Sequence, residues 1–205
     1  MQTVCWLVVC IAVAMLVVAC KPSTSSETSL SDRNLDQTTL KPIVEIRSPY
    51  LANFLMQLKP ISLPYNTQKD PIAITTSPLA DKDFKLLFKS NSLFKEVTQC
   101  YPIGKLPDYG NFAAVIFAEM KQGTGELRLL LVTYSPEGQP LDELLLKDNY
   151  GTERELISVY TLIYKDWSIE QVWQTITDAP DQKNVEVRQQ VRRYDITSEG
   201  KIKWL

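Results

Sequence analysis

The stretch ELRLLLVTY, from Glu126 to Tyr134, decides the fold. Its centre is almost continuously apolar, which is typical of a strand buried on both faces in the middle of a sheet. Ser135–Gly138 (SPEG) follows, with proline and glycine in positions compatible with a tight turn. Leu141–Leu146 then provides a partner strand, so the sequence predicts an antiparallel hairpin at the centre of a sheet.

Strand signals continue on both sides of this hairpin. Between 185 and 192, valines alternate with charged or amide residues, so we expect the valine side to be buried and the other side to be wet. Short consecutive strands joined by turns predict an antiparallel meander, and the lack of strand–helix alternation argues against a parallel sheet. The further predicted strands are Glu96–Ile103, Phe112–Met120, Glu155–Tyr164, Trp167–Thr177 and Lys201–Leu205, together with short strands at Ile43–Ile46 and Ile72–Thr75.

Two helices are predicted before this meander. Ser48-Pro49 supplies an N-cap and a first-turn proline, and apolar residues recur at helical spacing over Pro49–Leu58. Ser77-Pro78 repeats the start signal before an apolar stripe between Ala80 and Phe88. We therefore expect residues 43–205 to form one α+β domain, in which two N-terminal amphipathic helices pack on an antiparallel sheet of about six to eight strands.

The N-terminal stretch resembles the signal peptide of a bacterial lipoprotein. Val4–Ala19 is a run of about 16 residues without a polar side chain. Val17, Val18, Ala19 and Cys20 match the aliphatic, aliphatic or small, small, cysteine order of a lipobox. Met1–Thr3 departs from the pattern because it contains no lysine or arginine. The alternative is an uncleaved membrane helix in which the cysteine is incidental.

The lipobox resemblance implies a location. Residues 1–19 would be removed, and Cys20 would carry acyl chains such as palmitate that hold the protein to membrane lipid. Residues 20–42, rich in Ser and Thr, would form a flexible tether. Lys21 stands where an aspartate would favour retention in the inner membrane. The expected location is therefore the outer membrane, facing the periplasm.

Composition excludes several classes of function. The formal charge of −2 gives no electrostatic case for nucleic acid as a partner. The absence of histidine removes the common Ser-His-Asp and Cys-His schemes and the usual zinc sites. After cleavage and acylation Cys100 would be the remaining thiol, expected as a small buried residue rather than a reactive one. We therefore expect no catalytic residues, metal or cofactor.

Individual motifs with chemical potential are weak. Ser92 and Lys95 have the Ser-x-x-Lys spacing of penicillin-recognising acylases, but the companion elements of that family are missing. Trp167, Trp173 and Tyr194 could form a sugar-stacking face, although packing within the sheet is the commoner role of such residues. Three acidic pairs are best explained as solvated surface: Asp81/Asp83, Asp142/Glu143 and Glu153/Glu155.

The order of several turn motifs resembles a loose group of uncharacterised bacterial lipoproteins. The motifs are Leu63–Tyr65, Tyr109–Phe112, Val132–Asp142 and Tyr194–Ile202, and they span most of the expected domain. The resemblance implies an envelope lipoprotein, but it brings no activity and no functional residues.

Two functions remain open. The first is a non-enzymatic protein-interaction module, such as an immunity or assembly factor, whose tether raises its local concentration near an envelope protein partner. The second is a carrier of a lipid or other apolar ligand. A carrier needs a cavity of at least about 300 Å³. Phe54, Phe84 and Phe112 would line that cavity or, alternatively, belong to the core.

Overall fold

The computed structural model describes residues 45–70, 72, 74–89, 92–94, 99–120, 126–152, 154–178 and 185–205. These residues all belong to one compact unit. The predictions for residues 1–42, including Cys20, lie outside them. Within the described part of the chain no helix is long and apolar enough to cross a membrane. The helices are α1 (Pro49–Met56) and α2 (Asp81–Leu87), and the strands are β1 (Tyr65–Asn66), β2 (Cys100–Lys105), β3 (Ala113–Met120), β4 (Leu127–Tyr134), β5 (Pro140–Gly151), β6 (Glu155–Ile163), β7 (Ser168–Asp178), β8 (Val185–Ile196) and β9 (Ile202–Trp204).

The strands form an antiparallel meander. Their order in the sheet, β2-β3-β4-β5-β6-β7-β8-β9, follows the order in the chain, and β1 pairs separately with β6. The predicted meander is therefore confirmed. The predicted six to eight strands become nine because Tyr65–Asn66, a two-residue strand just after Pro64, is too short to leave a sequence pattern.

The central position predicted for β4 is confirmed. Leu129 to Val132 have no exposed surface, which requires a layer on each face of the strand. Leu130 and Val132 pack with residues of α1 and α2, whereas Leu129 and Leu131 pack with residues of the β6–β8 half of the sheet. Burial on both faces explains why the sequence of this strand does not alternate.

The helices cover one face of β3 and β4. Ser48 Oγ accepts a hydrogen bond from Leu51 N at 3.3 Å, as expected of the predicted N-cap. Phe117 of β3 is stacked against Phe54 of α1, with ring centroids 6.2 Å apart. Tyr134 donates its hydroxyl to the Leu87 carbonyl at 3.0 Å and thereby ties the end of α2 to β4.

β5 joins the two halves of the sheet. Its residues 140–147 pair with β4, and its residues 148–151 pair with β6. The β8–β9 turn returns to the start of β5, where Ile202 N donates to Asp142 Oδ2 at 3.0 Å. Thr133 Oγ1 also donates to the Gly200 carbonyl at 2.7 Å. The sheet thus curves around a second core that includes Phe112, Trp167 and Ile196.

Two predictions about strands are wrong. The valine side of β8 is exposed rather than buried, since Val187 retains 55% and Val191 47% of its accessible surface. Glu45–Ile46 and the described residues of 72–75 are not in strands. The remaining boundaries agree to within a few residues, except that β5 continues five residues beyond the predicted end at Leu146.

Candidate functional site

The three phenylalanines predicted to line a ligand cavity or the core lie on two sides of the sheet. Phe54 and Phe84 belong to the helix layer, where the Phe84 ring stacks on Phe88 at 4.5 Å between centroids. Phe112 lies in the opposite core, with its ring edge-on to Trp167 at 5.5 Å. Phe112 therefore shares no cavity with the other two.

A groove of about 530 Å³ runs between α1 and the segment before α2. Phe54, Leu58 and Leu79 give it an apolar wall. At its rim the Tyr50 hydroxyl donates to Asp83 Oδ1 at 2.9 Å. The pKa of Tyr50 is raised, mainly by burial and to a smaller extent by the Asp83 carboxylate. The hydroxyl therefore stays protonated at neutral pH.

The residues considered for catalysis have structural roles. Ser92 donates its hydroxyl to Glu143 Oε2 at 2.9 Å and accepts a hydrogen bond from Phe94 N at 3.1 Å, while Lys95 lies outside the described residues. Cys100 is buried, as predicted, and burial raises the pKa of its thiol well above the usual value. The thiolate needed for nucleophilic chemistry is therefore suppressed.

A partly exposed apolar surface lies on one face of β6, β7 and β8. Residues directly opposite each other on neighbouring strands share a face. The register therefore forms two apolar rows on this side, separated by a row of Ser158, Gln174 and Gln189. We call the two rows the valine face: Leu156, Ile176 and Val187 in one row, and Tyr160, Val172 and Val191 in the other. Leu156, Val187 and Val191 are exposed, Ile176 and Tyr160 are half-buried, and Val172 is buried. At one end of this surface Arg193 Nε lies 3.4 Å from Glu170 Oε2. The charged residues next to the valine face therefore form an ion pair with each other.

The opposite side of the same strands is concave and cationic. A pocket of about 340 Å³ is lined by Tyr150, Trp173, Arg188 and Arg192, among others. The guanidinium carbon of Arg192 lies 4.2 Å from the centroid of the Trp173 ring. We call this the Trp–Arg pocket.

One buried glutamine fixes the tryptophan of the Trp–Arg pocket. Gln171 is 1% exposed, and its Oε1 accepts from Trp173 Nε1 at 2.6 Å and from the Tyr194 hydroxyl at 3.3 Å. Its Nε2 donates to the Leu145 carbonyl on β5. Trp173 and Tyr194 are therefore held together, whereas Trp167 is buried in the core and takes no part in a sugar-stacking face.

Sequence reasoning placed Arg188 and Arg192 on an ordinary wet face. It did not predict that this face is concave or that it brings the two arginines close to Trp173. Their proximity depends on the pairing of β7 with β8, which the sequence pattern does not show. In the part of the chain that the structure describes, no cluster of three His, Cys, Asp or Glu side chains could hold a metal ion.

Comparison with protein-family models, curated proteins and solved structures finds no match for this chain.

Proposed function

We propose that this protein is a lipid-anchored lipoprotein of the cell envelope, and that its valine face binds another protein. The single observation that carries the binding role is the exposure of Leu156, Val187 and Val191 on one face of β6–β8, which consists of well-paired strands rather than a loop. Contiguous apolar patches of this kind on folded domains often mark interaction sites.

The partner that fits is a protein with a flat, uncharged apolar surface. The valine face contains hydroxyl and amide side chains but no charged residue between its two rows. Interface cores are depleted in charge in the same way, with polar groups satisfied across the contact. A strongly basic or acidic partner would find no complementary charge here.

The lipobox at Val17–Cys20 supports the location, and the two helices over β3 and β4 support the α+β class for a domain of residues 43–205. Anchoring is tested by metabolic labelling with a palmitate analogue. The full chain is expected to incorporate label that a Cys20→Ser variant does not. Equal labelling, or no labelling of either chain, would overturn the anchor.

The valine face is tested by photo-crosslinking in cells of the source organism. A photoreactive residue replaces Gln189, which lies on the valine side, or Gln190, the next residue on β8, which lies on the concave side. Both positions are exposed, so they form a matched pair. Position 189 should give a discrete crosslinked protein, and the introduction of Val191→Asp should abolish it. The same product from position 190, or none from 189, would refute the proposed surface.

A second function, as a carrier of an acyl chain, is supported by the groove at Phe54. Its volume of about 530 Å³ is in the range of small-molecule sites. Native mass spectrometry of the detergent-purified protein should then show a bound lipid. Asn53→Trp, which puts an indole into the groove, should remove the lipid, whereas Met56→Trp, on the same helix but outside this groove, should not. A lipid that survives Asn53→Trp would exclude this groove.

A further inference from the structure

The Trp–Arg pocket is built from the inner side of four strands. Tyr150, Ile157, Thr175 and Arg188 form one cross-strand row at its outer end. Trp173 lies opposite Gln190 in the next row, and the Arg192 guanidinium reaches over the Trp173 ring from the row beyond. The pocket therefore has a floor of paired strands, which gives its side chains fixed positions.

The aromatic wall is preorganised. The indole N–H of Trp173 is satisfied by Gln171, and Gln171 is anchored to the Leu145 carbonyl of β5. The indole ring is therefore oriented by a buried network rather than by chance surface packing. A guanidinium stacked on an aromatic ring keeps its N–H groups, which lie in its plane, available to a ligand.

The charge of Arg192 is not balanced by a carboxylate in the described part of the chain. Its neighbours on β8 are paired: Arg188 Nε lies 2.8 Å from Glu186 Oε1, and Arg193 Nε lies 3.4 Å from Glu170 Oε2. Asp148, in the same cross-strand row as Trp173, lies 3.4 Å from Arg128 Nε. Among the described residues Arg192 has no ion-pair partner.

The hydrogen bonding of Arg192 is also incomplete. Its one hydrogen bond to a described side chain is from Nη2 to Gln190 Oε1, at 3.2 Å. Its Nε is buried and has no acceptor within the described part of the chain. The described residues therefore leave the hydrogen-bonding capacity of this guanidinium partly unfilled, which favours an acceptor supplied by a ligand.

We propose that the Trp–Arg pocket binds the oxyanion of a small ligand, either a carboxylate or a phosphate, with Arg192 as its principal donor. A guanidinium matches the paired oxygens of both groups. Arg188 adds a second cation, because its pair with Glu186 is fully exposed and therefore weak enough to be exchanged for a ligand. The volume of about 340 Å³ limits the ligand to the small end of the usual range.

The test follows the indole N–H resonance of Trp173 in the full-length protein in a non-ionic detergent, identified by its absence in Trp173→Phe. The probes are inorganic phosphate, benzoate, and micelles doped with phosphatidylglycerol or, as a neutral control, phosphatidylcholine. A saturable shift with a soluble probe assigns the site to a free small anion. A shift with phosphatidylglycerol micelles but not with the soluble probes assigns it to a lipid headgroup.

Substitutions test whether the Trp–Arg pocket causes the shift of the Trp173 resonance. Arg192→Gln should abolish the shift, and Arg192→Lys, which keeps the charge but loses the planar fork, should weaken binding at least about tenfold. Arg47→Gln, which removes another exposed arginine, should leave binding unchanged. Retained dispersion of the other resonances shows that each variant is folded. No shift with any probe, a shift that persists in Arg192→Gln, or an equal loss in Arg47→Gln would overturn the proposal.

Discussion

Gln171→Leu tests the network that joins the two halves of the sheet. Leucine has a similar volume but removes three hydrogen bonds, to the Leu145 carbonyl, the Trp173 indole and the Tyr194 hydroxyl. At about 1 kcal/mol of net stability for each bond, the loss is about 3 kcal/mol. Burying an apolar side chain in place of an amide returns about 1 kcal/mol. The free energy of unfolding should therefore fall by about 2 kcal/mol.

The measurement is urea unfolding of the full-length protein in a non-denaturing detergent, followed by far-UV circular dichroism. In a chain of this size, 2 kcal/mol also lowers the melting temperature by about 4–8 °C. The matched control is Gln174→Leu, which makes the same exchange on the same strand but on the opposite face. It should change stability by less than about 0.5 kcal/mol. If Gln171→Leu were as stable as the native chain, or Gln174→Leu lost as much, the network would not have the role inferred for it.

Three further predictions concern the core, a turn and the buried thiol. Phe112→Ala should lower the free energy of unfolding by about 3–5 kcal/mol in the same urea assay, because it leaves a cavity beside Trp167, and Phe112→Leu should cost clearly less. The hydroxyl of Ser168 donates to Asp166 at 2.7 Å and holds the pKa of that carboxyl below its usual 3.8. This stabilisation is present above pH 3.8 and is lost as the pH falls through the lowered pKa, so the melting temperatures of the native chain and Asp166→Ala should converge there. Peptide mapping after iodoacetamide treatment at pH 8 should find Cys100 unmodified in the folded chain and alkylated in urea, whereas alkylation without urea would contradict its burial.

Local signals were sufficient for most elements of the fold. The apolar run of β4 and the SPEG turn depend on neighbouring residues, and both predictions are confirmed. Gly138 has a φ of +85° in that turn, and a Cβ there would lie 2.7 Å from Ser48 Oγ. The glycine was predictable as a turn residue. Its contact with the N-cap of α1 was not, because that contact joins residues about 90 positions apart in the chain.

Periodicity did not predict correctly which face of β8 is buried, because that depends on contacts between residues far apart in the chain. The alternation of β8 shows that the strand has two chemically different sides, but it does not show which side meets the core. The answer depends on β5, which leaves β4 after Lys147 and continues alone with β6, so that the sheet curves. On the inner side of this curve Gln171, Trp173 and Arg192 come together. No spacing rule connects a glutamine on β7 with a carbonyl of β5, so the Trp–Arg pocket had no sequence signal.

The two proposed surfaces depend on a single register. Along β7 and β8 their residues alternate one by one, as in Val172–Trp173 and Val191–Arg192. A slip of one residue would exchange the faces, so that the valines of β8 would turn to the concave side and its arginines to the outer side. Gln171 opposes this slip because its amide reaches the Leu145 carbonyl only when it points inward. The same buried side chain that stabilises the sheet therefore keeps the apolar and cationic surfaces on opposite sides, and this is why its loss should weaken anion binding as well as stability.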